Sequence, residues 1–114
     1  MSLAIRFRLE PVRSLGFASI GSAYMGVGTA MTNPIRQFFI QNLTDKTLMF
    51  SFNGIDDHFP LPSNGFFLDD ITSNKTVTTG FFLAEGERLY VKEIDGDTPT
   101  QGSVYFTVMY GSNS

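Results

Sequence analysis

Residues 35–52 read IRQFFIQNLTDKTLMFSF. Phe38 and Ile40 stand two apart, and Leu48, Phe50 and Phe52 repeat that spacing after a gap. A two-residue period places alternate side chains on one face of a β-strand, so the stretch predicts two half-buried strands. The gap, Asn42-Leu43-Thr44-Asp45-Lys46-Thr47, is rich in side chains that bond their own neighbouring backbone and so favour turns. The simplest arrangement is a hairpin at the centre of a small β-domain.

The same pattern recurs outward from this stretch. Leu3, Ile5, Phe7 and Leu9 alternate with Ala4, Arg6 and Arg8, predicting a half-buried strand that Pro11 ends or places at an edge. Downstream, Asn53-Gly54, Pro62-Ser63-Asn64-Gly65, Glu85-Gly86-Glu87 and Asp95-Gly96-Asp97 are turn signals. Between them lie Phe59-Pro60-Leu61, Phe66 to Ile71, Phe81-Phe82-Leu83, Arg88 to Ile94 and Ser103 to Tyr110, each short and strand-like. Along Ser103 to Tyr110 both faces are fairly apolar, as in a central strand or one that touches a partner. About eight short strands with frequent turns and no helix predict an all-β fold, an antiparallel β-sandwich or jelly-roll-like barrel.

Residues 14–33, SLGFASIGSAYMGVGTAMTN, differ in kind. Gly16, Gly21, Gly26 and Gly28 disfavour a helix, and no charge occurs, so the segment does not resemble a polar linker. It reads as an extended arm lying against an apolar surface, either its own core or a neighbouring subunit. The expected organisation is a strand and glycine-rich arm over residues 1–32 and a sandwich core over residues 33–114, with the core folding without the arm. Ile5, Phe7, Leu9, Phe17, Tyr24 and Met25 are the candidate subunit contacts.

Composition narrows the function. The chain has 114 residues, 17% of them charged, with 12 Phe, 4 Tyr, no Trp and a net charge of −3. That suits one domain, and the charged fraction is low against an average of about 25%. Part of the surface is therefore expected to be covered by partners, unless the phenylalanines simply fill a core under a Ser/Thr/Asn surface. A negative chain lacks the basic footprint of a nucleic-acid binder. Cys is absent, so there is neither a disulfide nor a thiolate site. No apolar run is long enough to span a membrane, and the N-terminus shows no basic-then-apolar secretory pattern. The single histidine, His58, stands beside Asp56 and Asp57 in a turn that reads as solvated loop. Adjacent Asp69 and Asp70 on a strand point to opposite faces and make a poor acid/base pair. No catalytic residue, metal ligand or cofactor site is therefore expected, and the chain reads as no enzyme. Tyr24, Tyr90, Tyr105 and Tyr110 leave open a carbohydrate- or ligand-binding sandwich as the alternative.

The wording from Asn33 to Tyr110 adds a resemblance. NPIRQFFIQNLTDKTLMFSFNGIDDHFPLPSNGFFLDDITSNK, GFFLAEGERLYVK and PTQGSVYFTVMYG are similar to small virion proteins of tailed bacteriophages. The shared elements are an I-Q-N-x-T-D turn, an S-F-N-G … D-H-F-x-L-P-x-N-G segment, an S-N-K-T loop and a G-S-V-Y strand. PVRSLGFASIGSAYMGVGTA, near the N-terminus, fits the same pattern. The resemblance implies a non-enzymatic β-domain in the virion, made in the bacterial cytoplasm. It would be a head decoration or cement protein, or a head–tail or neck protein. It would self-assemble and stabilise the particle through contacts with major capsid, portal, neck or tail subunits, with no direct role for nucleic acid or membrane.

Overall fold

A computed structural model of the chain describes residues 6–33, 35–70 and 86–112. These form nine strands: β1 (Arg6–Leu9), β2 (Arg13–Gly16), β3 (Met25–Gly26), β4 (Gln37–Asn42), β5 (Leu48–Ser51), β6 (Phe59–Leu61), β7 (Phe66–Asp70), β8 (Tyr90–Glu93) and β9 (Ser103–Ser112). Among the described residues there is no α-helix, only a 3-10 turn at Phe17–Ser19. One sheet runs β1-β9-β4-β7, with β2 also on β9, and the other runs β3-β8-β5-β6. Every pairing is antiparallel. The predicted β-sandwich is the observed fold.

The connectivity is nested. The β1/β2 segment pairs with β9, β3 with β8, β4 with β7 and β5 with β6. The first half of the chain thus lies against the second as one long antiparallel ribbon. Rolling it up adds the β4–β9 and β5–β8 pairings. That is the plan of a jelly roll.

The roll closes on phenylalanine. Phe38 and Phe106 from one sheet, Phe50 and Phe59 from the other, and Phe52 and Phe67 beside them form a connected set of rings. Phe38 meets Phe52 and Phe67 edge-on, each with ring centroids 5.5 Å apart, a favoured aromatic geometry. Ile40, Leu48, Leu89, Val91, Val104 and Val108 fill the remaining space.

The hairpin expected in residues 35–52 does not form. β4 and β5 lie in different sheets, and residues 43–47 are a crossover between them. The cause is Asn42, a buried polar side chain at the last position of β4. Its amide nitrogen donates to the carbonyls of Lys46 (2.9 Å), Leu61 (2.9 Å) and Pro62 (3.2 Å). Its Oδ1 accepts from the Thr44 backbone N–H (3.1 Å) and hydroxyl (2.6 Å). One side chain thereby fixes the crossover and the β6–β7 turn together. Gly102 completes this corner: its φ is +90°, and a Cβ there would collide with the Leu43 carbonyl.

Residues 14–33 are part of the sandwich. β2 pairs with β9, β3 pairs with β8, and Ile20, Val27 and Met31 are core side chains. The expectation that the core folds without this segment is therefore corrected, because removing residues 1–31 would take away three core side chains as well as strands from both sheets. The Arg13 side chain lies across Gly28, whose φ is +69° and where a Cβ would come within 2.8 Å of Arg13 Cβ.

Arg13 is buried because the N-terminal strand bulges. Leu9 pairs with Met109 and Arg13 with Phe106, so four steps of the first strand run against three of β9. A β-bulge of one extra residue reverses the side-chain alternation beyond it. Glu10 and Arg13 would otherwise point to opposite faces. Here both are buried, and Arg13 Nη2 donates to Glu10 Oε1 at 2.6 Å. Arg13 also donates to the Thr29 and Ala30 carbonyls, while Glu10 accepts from the Thr32 N–H and the Asn33 amide. Burial alone would push the Glu10 carboxyl up; the hydrogen bonds from Arg13, Asn33 and Thr32 outweigh it and hold the carboxyl below its ordinary value.

Two predictions follow from these buried groups. Asn42→Ala orphans several buried carbonyls and is expected to cost on the order of 3 kcal/mol in urea unfolding. Because Glu10 has a depressed pKa in the folded state, its contribution is present above the ordinary carboxylate value of 4.5 and is lost as pH falls through the lowered one. Glu10→Gln should lower stability at neutral pH by about 3 kcal/mol by stranding Arg13. The difference between the two proteins should shrink on acidification, which urea titrations at several pH values below 4.5 would measure.

Candidate interaction face

The two sheets treat their outer faces differently. On β4, Phe38, Ile40 and Asn42 are buried, so Gln37, Phe39 and Gln41 point outward. On β9, Val104, Phe106 and Val108 are buried, so Tyr105, Thr107 and Met109 point outward. Cross-strand register then sets the rows. Leu9, Met109, Gln37 and Asp70 form one, Thr107, Phe39 and Leu68 the central one, and Ser14, Tyr105, Gln41 and Phe66 the third. Leu9, Phe66 and Leu68 are 63%, 65% and 59% exposed. Phe39 and Phe66 meet edge-on at 5.7 Å on this side of the sheet. Asp70, at the end of the first row, is the one charged residue in these three rows. Phe39, Leu68 and Phe66 make the apolar centre of this face, the kind of exposed patch that an interaction partner can cover.

The outer face of the four-stranded sheet is covered by its own loop. Ser51 Oγ accepts from the N–H groups of Asn53 and Gly54, drawing residues 52–58 back over β5. A side chain at Gly54 would contact the Tyr90 ring at 3.4 Å. Asp57 accepts from the Tyr24 hydroxyl at 2.5 Å and pairs with Lys92 at 3.2 Å, while Lys92 Nζ lies 4.7 Å from the Tyr24 ring centre. Burial, together with Asp57, raises the Tyr24 hydroxyl well above its ordinary value, and the hydrogen bond from Tyr24 and the charge of Lys92 lower the Asp57 carboxyl. Tyr24 therefore keeps its proton and Asp57 stays ionised, which is a pinned loop and not an acid/base pair. His58 Nδ1 accepts the Phe52 N–H at 3.0 Å and belongs to the same loop. Among the described residues no three His, Asp or Glu side chains converge in a way that could hold a metal ion.

The six candidate contacts from sequence are scattered. Leu9 lies on the apolar face. Phe17 sits in the 3-10 turn, where its N–H donates to the Gly102 carbonyl. Tyr24 and Met25 lie at the β3 edge of the other sheet. Phe7 pairs with Gly111, and its side chain, like all of Ile5, lies outside the described residues. Phe39, Phe66 and Leu68 were missed. Their signal was two-sided apolarity, visible in Phe66-Phe67-Leu68 and in Phe38-Phe39-Ile40.

If the face is a surface feature and not part of the core, Phe66→Ser with Leu68→Ser should change stability by only about 1 kcal/mol. The same pair should reduce binding of an environment-sensitive apolar dye. Phe38→Ser, in the ring cluster, should cost about 3–5 kcal/mol by chemical denaturation. In comparison with protein-family models, curated proteins and solved structures, no match to this chain is found.

Proposed function

We propose that this chain is a non-enzymatic structural subunit of a tailed-bacteriophage virion, with the outer face of its five-stranded sheet covered by neighbouring subunits. The observation that carries the reading is the apolar centre of that face, formed by Phe39, Leu68 and Phe66. A free protein gains nothing from exposing these side chains, whereas a repeated contact removes them from water. The sequence resemblance supplies the virion context. Jelly rolls recur among viral capsid and lectin domains, which is an analogy of fold and carries less weight than the face itself.

Two of the four tyrosines offered for a sugar platform, Tyr24 and Tyr90, do not suit one. Such a platform needs open aromatic faces, and Lys92 occupies that of Tyr24 while the Gly54 loop and Arg88 flank Tyr90.

The test is incorporation. In purified particles of a phage that encodes the chain, mass spectrometry should find it in a fixed ratio to the major capsid or tail protein. A plasmid-borne copy with Phe66→Ser and Leu68→Ser should enter particles at a level lower by roughly tenfold or more. A chain missing from the particles, or a double variant that enters them normally, would refute the proposal.

A further inference from the structure

We propose that Asn53 is a self-modifying residue. Its side-chain amide condenses with the backbone nitrogen of Gly54, Ser51 relays the proton, and position 53 becomes aspartate or isoaspartate with loss of ammonia. This chemistry is independent of the structural-subunit reading.

The sequence supplies the reacting pair. The backbone nitrogen that follows an asparagine can close a five-membered ring on its Cγ, and a glycine there has no Cβ to crowd the approach. Two such pairs occur among the described residues, Asn53-Gly54 and Asn64-Gly65. The fold treats them differently.

At the first pair the groups that cyclisation needs are already in contact. A peptide nitrogen is a poor nucleophile until its proton leaves. The Gly54 N–H donates to Ser51 Oγ at 3.0 Å, and the Ser51 hydroxyl donates to Asn53 Oδ1 at 2.9 Å. A hydroxyl both accepts and donates, so one side chain links the nucleophile to the oxygen on which charge develops. Ser51 is buried at the end of β5, which fixes its position. Asn53 Oδ1 also accepts the N–H groups of Ile55 at 2.8 Å and Asp56 at 2.9 Å. Two such donors polarise the Cγ–O bond as an oxyanion hole does. The leaving nitrogen, Nδ2, donates to Asp56 Oδ2 at 2.8 Å. These partners also settle which end of the amide is oxygen, because N–H groups face one end and a carboxylate the other. Asn53 is exposed, so water reaches the product ring.

The reaction runs in three steps. The Gly54 nitrogen bonds to Asn53 Cγ while its proton passes to Ser51 Oγ and the Ser51 hydroxyl proton passes to Oδ1. The Cγ–Nδ2 bond then breaks; Nδ2 leaves as ammonia with the Oδ1 proton, and a succinimide ring remains. Water opens the ring to aspartate or isoaspartate. Position 53 now presents a carboxylate to Asp56 where the amide donated. The loop over the four-stranded sheet loses a tie and gains a like-charge repulsion.

At the second pair the Gly65 N–H donates to the Pro62 carbonyl at 2.8 Å. A carbonyl accepts a proton's bond but has no proton to hand on, so the native fold holds this pair inert.

Peptide mapping by mass spectrometry, with release of ammonia as a second readout, tests the assignment on the purified full chain at neutral pH, native and unfolded in guanidinium. Asn53 should convert faster in the native chain than in the unfolded one by roughly tenfold or more, the scale of positioned acid–base help. Asn64 should convert more slowly in the native chain than in the unfolded one. Ser51→Ala should bring native Asn53 down to the unfolded rate or below it and leave the unfolded rate unchanged, with circular dichroism confirming the fold. A purely structural Ser51 gives the opposite sign, because loosening the loop frees Asn53 to react. The proposal is overturned if native Asn53 is no faster than unfolded Asn53, if Ser51→Ala converts as fast as the parent or faster, or if native Asn64 keeps pace with Asn53. Should Ser51→Ala fail to fold, the native-against-unfolded and Asn53-against-Asn64 comparisons on the parent chain still decide.

Discussion

The side chain of Asn42 is the point on which this sandwich turns. A β4 strand whose inward positions are Phe38 and Ile40 could continue into a hairpin with β5, since both strands carry the same apolar alternation. What prevents it is a buried amide that must be satisfied. Its nitrogen is directed at three carbonyls on two separate loops, and its oxygen at Thr44. Meeting those demands bends the chain across the core, so that β4 and β5 face each other from opposite sheets. The nested pairing of the two chain halves then follows, because β6 returns beside β5 and β7 returns beside β4.

A second constraint acts at the other edge. The single extra residue between Leu9 and Arg13 reverses which side chains point inward. Upstream of the bulge Leu9 faces out beside Met109; downstream Arg13 and Leu15 face in opposite Phe106 and Val104. The cost of burying Arg13 is offset by Glu10 and by the carbonyls of Thr29 and Ala30, although Nη1 is left without a partner. A buried ion pair of this type is weak evidence of net stability. It fixes the path of the glycine-rich segment, which has to supply those carbonyls.

These two constraints explain what could and could not be read from the chain. The inward sets Val104/Phe106/Val108 and Leu89/Val91 were legible because an unbroken two-residue period reports a face directly. The turns at Asn53-Gly54, Asn64-Gly65 and Asp95-Gly96 were legible because positive φ selects those residues, as observed at Gly54, Asn64, Asp95 and Gly96. Periodicity does not say which strand lies alongside, so Phe38/Ile40 and Leu48/Phe50 were joined into a hairpin that the Asn42 network forbids. Nor does it say which face is inward when both are apolar. Leu9 carries the alternation expected of a buried residue and lies on the outer face instead. The glycine-rich segment looked peripheral because its contributions to the core, Ile20, Val27 and Met31, follow no strand period. They reach the interior from irregular backbone held by long-range bonds, such as Val27 N–H to the Leu89 carbonyl and Met31 N–H to the Glu87 carbonyl.

The asymmetry between the two outer faces carries the functional weight. The same chain covers one sheet with its own loop, using Ser51, Asn53, Tyr24, Asp57 and Lys92, and leaves Leu9, Phe66 and Leu68 exposed on the other. Core packing does not require this, because Phe39, Leu68 and Phe66 point away from the ring cluster that joins the sheets. Solubility does not require it either, since polar residues at those three positions would keep the strand period and solvate the face. On the structural-subunit reading, side chains that neither the core nor the solvent calls for are there for a neighbouring subunit. The face that such a neighbour would meet is apolar at its centre, around Phe39, Leu68 and Phe66, with amides and hydroxyls beside them and Asp70 at one corner.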